Sequence, residues 1–326
     1  MISVIGGSGF IGSRLCKRLN KNGFDFQIVD KKVGGSFPEK TQTADVRDYE
    51  SLVNAVNGET IINLAAEHRD DVSPKSLYDE VNIDGARRIC ELAEAKGISK
   101  IIFTSSVAVY GFAPLGTDEQ GEINYFNDYG RTKFEAEKVF CKWQEADPEN
   151  RSLVVLRPTV VFGEQNRGNV YNLLKQIASG KFIMIGNGKN VKSMAYVENI
   201  AAFLEFSLGF GPGVHVYNYI DKPDFDMNTL VLKVNKALGK KERIGLKIPY
   251  FVGYTMGKFL DLVAATTGRK LPISSIRIKK FCSNTMFNTK VSETGFNPPV
   301  NIYEALESTI RHEFLESPDE EVYYTE

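Results

Sequence analysis

The segment "VIGGSGFIGSRL" constrains the fold of this chain most strongly, because it places three glycines between a strand-like run and a helix-like run. Gly6, Gly9 and Gly12 permit a tight turn, a close approach of the backbone to phosphate groups and close packing of helix on strand. The N-terminus of the helix also presents unpaired N–H groups to a pyrophosphate. In this setting the loop predicts a dinucleotide-binding βαβ unit, with Phe10 and Ile11 also at the phosphates.

The pattern of the first half repeats this unit. Short apolar runs, typical of buried strands, alternate with longer amphipathic runs, typical of helices. Strands are predicted at residues 2–7, 24–30, 60–66, 100–106 and 152–159, and helices at residues 10–23, 49–58, 76–97 and around Tyr129. The alternation predicts an α/β fold with a Rossmann-type, doubly wound parallel sheet.

The alternation of strand-like and helix-like runs becomes less regular after about Gly163, with more loops and shorter strands. We therefore predict a Rossmann cofactor-binding domain at residues 1–165. Residues 166–326 are predicted to form mainly a smaller C-terminal α/β substrate lobe, some segments of which return to the Rossmann domain.

Composition excludes several classes of protein. The net charge of −1 gives no reason to expect nucleic-acid binding. The four cysteines and three histidines are scattered, so we predict no metal site and no disulfide. The chain opens on a strand-like segment without a signal-peptide core, and no apolar run reaches the roughly 18 residues that span a bilayer. A cytoplasmic protein is expected.

Asp30 identifies the dinucleotide. It ends the second predicted strand, where a carboxylate accepts a hydrogen bond from a ribose 2′-hydroxyl and repels a 2′-phosphate. The predicted cofactor is therefore NAD, although the cationic Lys31, which is also expected at the cofactor, weakens the preference over NADP. Further contacts are predicted at the adenine edge, from Asp45 and Val46, and at the end of the strand predicted at residues 60–66, from Leu64, Ala65 and Ala66.

Tyr129 and Lys133 lie four residues apart in "YGRTK", which makes them neighbours on one helix face. A cation beside a phenol favours the phenolate and lowers the pKa of the phenol. The pair is therefore either a reactive tyrosine with its lysine or an ordinary polar pair on a surface helix, and spacing alone leaves both open.

The order of "GGSGFIG", "ADV", "NLAA", "TSSVAVYG", "YGRTK" and "RPTVVFG" resembles the extended short-chain dehydrogenase/reductase superfamily, in its NAD-dependent sugar epimerase branch. The resemblance implies that Tyr129 is the catalytic base, and that Lys133 binds the nicotinamide ribose and lowers the tyrosine pKa. It also implies that Ser106 bonds the reacting hydroxyl with Thr104 close by, and that Pro158 contacts the cofactor. Such enzymes often form homodimers through the helices that include the Tyr–Lys helix, so a homodimer is expected.

The strings "AAEHRDDVSP", "RGNVYNLLKQIA", "KSMAYV" and "KKFC" are similar to a narrower bacterial group. Those 4-epimerases convert N-acetylglucosamine to N-acetylgalactosamine on undecaprenyl diphosphate for surface polysaccharide (O-antigen) synthesis. Lys192 and Ser193 replace an Arg-Asp step that is common in soluble UDP-sugar epimerases. Val107 and Ala108 stand where related dehydratases carry an Asp-Glu pair, and neither can do acid–base work.

Two other activities stay open from the sequence. One is a soluble UDP-N-acetylglucosamine or UDP-glucose 4-epimerase. The other is a sugar or 3β-hydroxysteroid-type dehydrogenase that releases its ketone, and net accumulation of NADH would identify it. A cofactor sensor without catalysis is disfavoured, because such relatives usually lose the tyrosine or the lysine.

Substrate contacts are predicted from loops at strand ends and from cations that suit a diphosphate. The predicted residues are His68, Ser106, Arg167, Asn169, Lys192 and Arg277. An alternative for the loop at His68 is a salt-bridged surface turn.

Two segments of the second half carry further expectations. Residues 262–292 contain no acidic residue but six basic ones, and a helix-like apolar pattern precedes them. We expect either peripheral contact with an anionic inner membrane or ordinary packing of this helix in the lobe. The six basic residues are Arg269, Lys270, Arg277, Lys279, Lys280 and Lys290. The acidic tail "ESPDEEVYYTE" is expected to be a solvated, flexible end.

Overall fold

The computed structural model describes residues 1–69, 72–268, 274–316 and 319–325. In chain order the strands of these ranges are β1 (Ile2–Ile5), β2 (Phe26–Asp30), β3 (Thr41–Thr43), β4 (Thr60–Asn63), β5 (Lys100–Thr104), β6 (Ser152–Pro158), β7 (Val160–Phe162), β8 (Met184–Ile185), β9 (Val191–Tyr196), β10 (Gly213–Tyr219), β11 (Asp221–Asp226) and β12 (Lys247–Ile248). All five strands expected in the first half are present.

Seven strands form the central sheet in the order β10-β6-β5-β4-β1-β2-β3. Every neighbouring pair in it is parallel. Two smaller sheets, β11-β9-β7 and β12-β8, belong to the second half. The predicted Rossmann-type parallel sheet is therefore confirmed.

The described helices are α1 (Phe10–Lys21), α2 (Tyr49–Ala55), α3 (Ser76–Tyr78), α4 (Gly85–Lys96), α5 (Asp128–Glu145), α6 (Asn169–Ala178), α7 (Val197–Phe206), α8 (Met227–Ala237), α9 (Tyr250–Thr267), α10 (Ser275–Cys282) and α11 (Ile302–Arg311). A π-helical segment, Asp79–Asp84, joins α3 to α4, so the helix expected at residues 76–97 is one continuous element. Another π-helical segment, His312–Glu316, extends α11.

Helices cover both faces of the central sheet, because its strands are apolar on both sides. One core joins the sheet to α2, α4 and α5 through side chains such as Ile89, Phe140 and Trp143. The opposite core joins it to α1 and α7 through Leu15 and Phe203. All four residues of β1 and all seven of β6 are buried, as two-sided covering requires.

The second half of the chain forms a separate hydrophobic core and also adds a strand to the central sheet. A third core lies among β9, β11, α6, α8 and α11. In contrast, β10 pairs along its whole length with β6 and completes the central sheet. The domain boundary at residue 165 stays a prediction, while β10 is one segment of the second half that lies in the Rossmann sheet.

The direction of the strand order reverses between β1 and β4, and this places a crevice at their carboxyl ends. The glycine loop follows β1, Asp30 ends β2, Leu64 follows β4, and Pro158 ends β6. The predicted cofactor residues therefore approach one edge of the sheet. Among the described residues, no helix combines the length and the apolar character needed to cross a membrane.

The expectation of a flexible tail is wrong for residues 319–325. Tyr323 pairs with the segment after β7, because its N–H donates to the Gln165 carbonyl and its own carbonyl accepts from the Arg167 N–H, each at 2.8 Å. Residues 319–325 form no helix or strand of their own and are held by these long-range bonds. Such bonds leave no periodic signal in the sequence.

Candidate active site

The glycine loop has no room for larger side chains. A Cβ atom at Gly12 would lie 2.6 Å from the carbonyl oxygen of Gly6 and from Gly7 Cα. Gly6 has a φ of +79° and lies against the Ala65 backbone. No side chain caps the N-terminus of α1, and the buried Ser8 hydroxyl has no hydrogen-bond partner among the described residues. This cradle of free backbone donors and one unpaired hydroxyl fits a pyrophosphate.

Asp30 lies where a ribose contact is expected. Its carboxylate accepts hydrogen bonds from the Ser8 N–H at 3.0 Å and the Lys32 N–H at 3.1 Å. These bonds tie the end of β2 to the glycine loop and orient the carboxylate beside the cradle. Lys31 follows directly at the surface.

Asp45 and Val46 occupy the next loop. The side-chain hydrogen bond from Arg47 is the main cause that lowers the Asp45 pKa, and Arg47 Nη2 lies 2.7 Å from the carboxylate. Val46 is buried against Gly85 at the start of α4. The predicted adenine contact of Asp45 would therefore share its carboxylate with Arg47.

The start of α5 presents Tyr129 to the crevice. Asn127 caps this helix by accepting from the Gly130 N–H at 2.9 Å. Gly130 allows the first turn to press on residues 107–110, since a Cβ there would lie 2.4 Å from the Ala108 carbonyl oxygen. Ser106 caps that short 3-10 helix by accepting from the Ala108 N–H at 3.1 Å. Tyr129 and Ser106 thus come within hydrogen-bond reach of each other.

In the protein alone, burial favours the phenol form of Tyr129 over the phenolate. Burial raises its pKa to about 12, while the hydrogen bond with Ser106 acts in the opposite direction. The lowering of this pKa by Lys133, which the resemblance implies, stays a prediction. The Lys133 ammonium lies 6.0 Å from the centre of the Tyr129 ring.

Lys133 is almost fully buried, with 2% of its surface exposed. Its ammonium donates a 2.7 Å hydrogen bond to the Thr104 carbonyl and lies 4.7 Å from the Phe103 ring. Burial lowers the Lys133 pKa to about 7, and the carboxylate of Glu137, one turn further along α5, opposes this shift. A lysine poised near neutrality beside a tyrosine can act with it in proton transfer.

The strand ends after β4 and β5 complete this side of the crevice. The buried Thr104 hydroxyl donates to the Asn63 carbonyl at 3.2 Å, so Thr104 joins the two strands. His68 follows in the loop after β4. Desolvation is the main cause that lowers its pKa, and the charge of Lys133 acts in the same direction. The structure therefore brings Tyr129, Lys133, Ser106, Thr104 and His68 to one region.

Asn82 supports the site and was missed from the sequence. Its amide donates to the Thr132 hydroxyl at 2.9 Å and to the Glu67 carbonyl at 3.0 Å, and it accepts from the Glu67 N–H at 2.8 Å. It thereby fastens the loop after β4 to α5 beside Lys133. One signal was available, because Asn82 is a polar residue on the apolar face of its predicted helix, between Tyr78 and Ala86.

A buried ion pair behind the site was also missed. Arg157 Nη2 lies 2.5 Å from Glu137 Oε2, and 6% and 5% of the two side chains are exposed. Ser105 donates to the same carboxylate, and Arg157 donates to the Tyr110 hydroxyl at 2.6 Å. Breaking a buried pair of this kind costs several kcal/mol in general, about 3–5. The pair positions β5, β6 and α5, together with the adjoining Pro158.

Two cations predicted to bind substrate already have protein partners. Arg167 pairs with the Glu313 carboxylate at 2.7 Å and stacks over Tyr171 at 4.3 Å. Lys192 donates to the carbonyls of Lys280 and Ser283 at 2.9 and 2.7 Å. Burial lowers the Lys192 pKa to about 8. A phosphate at either position would compete with these bonds, and both roles stay predictions.

The remaining substrate predictions lie on helix starts. Asn169 is the first residue of α6, and Arg277 is exposed in the first turn of α10. Both substrate roles stay predictions. The basic residues Arg269 and Lys270 lie outside the described residues.

Comparison with known proteins identifies the family. The model of the NAD-dependent epimerase/dehydratase family matches residues 2–218. The chain belongs to this family. The predictions of the superfamily, of an NAD-dependent enzyme and of NAD as the cofactor are confirmed.

One relative is similar over almost its entire length. The N-acetyl-alpha-D-glucosaminyl-diphospho-ditrans,octacis-undecaprenol 4-epimerase of Escherichia coli O157:H7 is 46% identical, over 99% of this chain and 98% of that protein. A sterol-4-alpha-carboxylate 3-dehydrogenase of Candida albicans is 26% identical, over 95% of this chain and 96% of the relative.

A solved structure agrees with the fold. The UDP-glucose 4-epimerase of Thermus thermophilus, in complex with NAD, superposes with a TM-score of 0.73 over 95% of this chain and 98% of that chain. Its sequence identity is 20%, so the likeness concerns the fold.

Proposed function

We propose that this protein is an NAD-dependent 4-epimerase that interconverts N-acetylglucosamine and N-acetylgalactosamine on undecaprenyl diphosphate. The observation that carries the proposal is the 46% identity to the Escherichia coli O157:H7 epimerase across nearly the whole chain. The crevice residues Tyr129, Lys133 and Ser106 support the reaction class. A role in surface polysaccharide synthesis follows from such a product.

The chemistry is a reversible oxidation at C4 of the sugar. In its phenolate form, Tyr129 takes the proton of the C4 hydroxyl while the C4 hydride leaves, and a carbon–oxygen double bond forms. Bound NAD supplies the hydride exchange. After the ketone turns in the crevice, hydride returns to its opposite face and Tyr129 gives the proton back. The product is the epimer, and no cofactor is consumed.

Each residue of the crevice has a defined part in this reaction. The Ser106 hydrogen bond orients the Tyr129 hydroxyl toward the sugar hydroxyl. Lys133, held by the Thr104 carbonyl, supplies positive charge beside the phenolate and donors for the nicotinamide ribose. The cradle formed by Gly6, Gly9 and Gly12 would hold the pyrophosphate, with Asp30 at the ribose.

An exposed apolar face of α9 favours the proposal that the substrate is anchored in a membrane. Gly253 and Gly257 are the buried residues of this helix, and they pack on Ile185 and Ile278. Successive residues of a helix are about 100° apart around its axis, so the large apolar side chains occupy an arc of roughly 140° that does not include the two glycines. Their exposed fractions are 68% for Phe251, 57% for Met256, 65% for Phe259 and 62% for Leu262.

Cations and exposed aromatic rings continue this surface toward the active site. Lys279 of α10 lies over the Phe112 ring at 5.6 Å, and Lys280 lies over the Phe126 ring at 4.8 Å. Phe126 is three residues before Tyr129 in the chain. Apolar rings beside cations suit an anionic bilayer and a diphosphate at its surface. We therefore include peripheral contact with the cytoplasmic face of the inner membrane in the proposal.

Vesicle flotation tests the membrane contact. The double variant Phe251→Ser/Phe259→Ser should bind vesicles that contain phosphatidylglycerol at least about tenfold more weakly, because each ring contributes about 1.5–3 kcal/mol on burial. Val214→Ser, at an exposed position of β10, is the control and should bind like the unaltered protein. Equal binding of the double variant would refute the contact.

A homodimer through helices that include α5 also belongs to the proposal. Light scattering of the purified protein should give twice the mass of the 36.4 kDa chain. A monomer at micromolar concentration would remove this part and leave the catalytic proposal unchanged.

The reaction is tested with N-acetylglucosaminyl-diphospho-undecaprenol in detergent. Chromatography of the released sugar should show N-acetylgalactosamine, and the absorbance of NADH should not rise beyond the amount of enzyme. The similarity to the Candida albicans dehydrogenase makes a dehydrogenase that releases its ketone the alternative to be tested. NADH that accumulates with substrate, without the epimer, would establish a dehydrogenase instead.

A further inference from the structure

The C-terminal segment 319–325, here called the tail clasp, lies against two elements that hold the cofactor. Its Tyr323 ring lies 6.0 Å from the ring of Phe10, the first residue of α1. The Tyr323 hydroxyl lies beside the Ser13 side chain in the same helix and donates a 3.4 Å hydrogen bond to the Glu321 carboxylate within the clasp. The clasp therefore contacts the helix end that receives the pyrophosphate.

A second contact reaches the loop after β2. The Glu321 carboxylate accepts from the Gly35 N–H at 3.2 Å. The neighbouring Gly34 lies on the glycine loop, since a Cβ there would be 3.0 Å from Ser8 Cβ. Because Asp30 precedes this loop, Glu321 touches the adenosine side of the crevice while Tyr323 touches the pyrophosphate side.

The clasp is anchored from the opposite lobe. Besides its backbone bonds to Gln165 and Arg167, it receives a hydrogen bond from the Gln165 amide at Glu320. Gln165 also accepts from Arg14 of α1 at 2.7 Å. The Thr325 hydroxyl adds a 2.7 Å bond to Asn166. The clasp thus links the segment after β7, α1 and the loop after β2.

We propose that the tail clasp closes the cofactor crevice and slows the release of NAD and NADH, with Tyr323 and Glu321 as its positioning residues. The chemical need rests on the proposed function, since an epimerase that loses NADH before hydride returns is left with a ketone it cannot reduce. Tyr323 holds the clasp to α1, and Glu321 holds it to the loop after β2.

The test measures release in the absence of any sugar, so its outcome is independent of the substrate. Full-length protein loaded with NADH is mixed with excess NAD, and the loss of bound NADH fluorescence gives the release rate. Tyr323→Ala loses a ring contact and a hydrogen bond, which predicts release about tenfold faster. Glu321→Gln should accelerate release by a smaller factor.

Tyr324→Ala is the matched control, because Tyr324 is the adjacent tyrosine and 72% of its surface is exposed. Its release rate should stay within about twofold of the unaltered protein. If Tyr323→Ala does not fold, Tyr323→Phe keeps the ring contact, loses the hydroxyl bond and should give an intermediate rate. Release that is unchanged or slower in the folded Tyr323 and Glu321 variants would overturn the proposal. Faster cofactor binding with unchanged release would instead indicate a tail that competes with the cofactor, and would also overturn it.

Discussion

Lys133 donates its 2.7 Å hydrogen bond to the carbonyl oxygen of Thr104, which ties the helix that carries Tyr129 to the end of β5. The bond fixes the ammonium at the carboxyl edge of the sheet, where the crevice opens. It also keeps a cationic group in a buried position, and burial lowers the Lys133 pKa to about 7.

Stability should therefore depend on pH through Lys133. In the unfolded chain its pKa is near the ordinary 10.5, and in the folded protein it is about 7. Between these values the unfolded state binds more protons, so the free energy of unfolding should rise with pH from about 7 to 10. In Lys133→Met this rise should be smaller. Urea unfolding of cofactor-free protein at several pH values measures it. Lys138→Met, on the same helix but at the surface, is the control, and a Lys133→Met curve parallel to the unaltered protein would contradict the argument.

Tyr129→Phe should lower kcat by about 100- to 10,000-fold, because the proton acceptor at the sugar hydroxyl is lost. The ring and the fold remain, so the bound NAD content should be unchanged. Product chromatography gives kcat, and NAD released by heat gives the content. Near-normal turnover would show that another group takes the proton.

Gly12→Ala should damage the cofactor cradle more than Gly9→Ala. The added Cβ at Gly12 would be 2.6 Å from backbone atoms, whereas at Gly9 the nearest atom is 3.3 Å away. Overpacking of this kind costs about 1–3 kcal/mol. The melting temperature and the affinity for NAD should both be lower in Gly12→Ala than in Gly9→Ala. Equal effects would mean that the loop widens at little cost.

Asn82→Asp tests the link between α5 and the loop after β4. The substitution conserves size but removes the amide donor to Thr132 and to the Glu67 carbonyl. A loss of about 1–3 kcal/mol in the free energy of unfolding is expected. Urea unfolding of the variant measures it, and Asn124→Asp, at an exposed position, is the control. A variant as stable as the unaltered protein would show that the link carries little energy.

Local sequence patterns predicted the helices and strands, but they did not predict contacts between residues far apart in the chain. The five predicted strands, the helix at residues 76–97 and the Tyr129–Lys133 helix follow from periodicity, and the structure contains each of them, whereas the short strand β3 was not predicted. The pairing of Arg167 with Glu313 joins residues far apart in the chain, so no local pattern indicated that this guanidinium, which is still predicted to bind phosphate, lies in an ion pair. The position of Tyr323 likewise depends on bonds to residues far away in the chain.

Periodicity also missed the groups that support the site. The buried pair Glu137–Arg157 looks like two ordinary charged residues, one in a helix and one in a strand, until the fold brings them together. Asn82 differs, because a polar residue on an apolar helix face could have been noticed. The substrate contacts depend on the second half, where loops separate short elements and the local signal is weakest.

The most direct test of the account compares two radiolabelled substrates with the same purified protein. One is N-acetylglucosaminyl-diphospho-undecaprenol in membranes, and the other is UDP-N-acetylglucosamine. The sugar released by acid is identified by chromatography. We predict N-acetylgalactosamine from the lipid-linked substrate and none from the free nucleotide sugar. Epimerisation of UDP-N-acetylglucosamine with no conversion of the lipid-linked sugar would contradict the account and identify a UDP-sugar 4-epimerase.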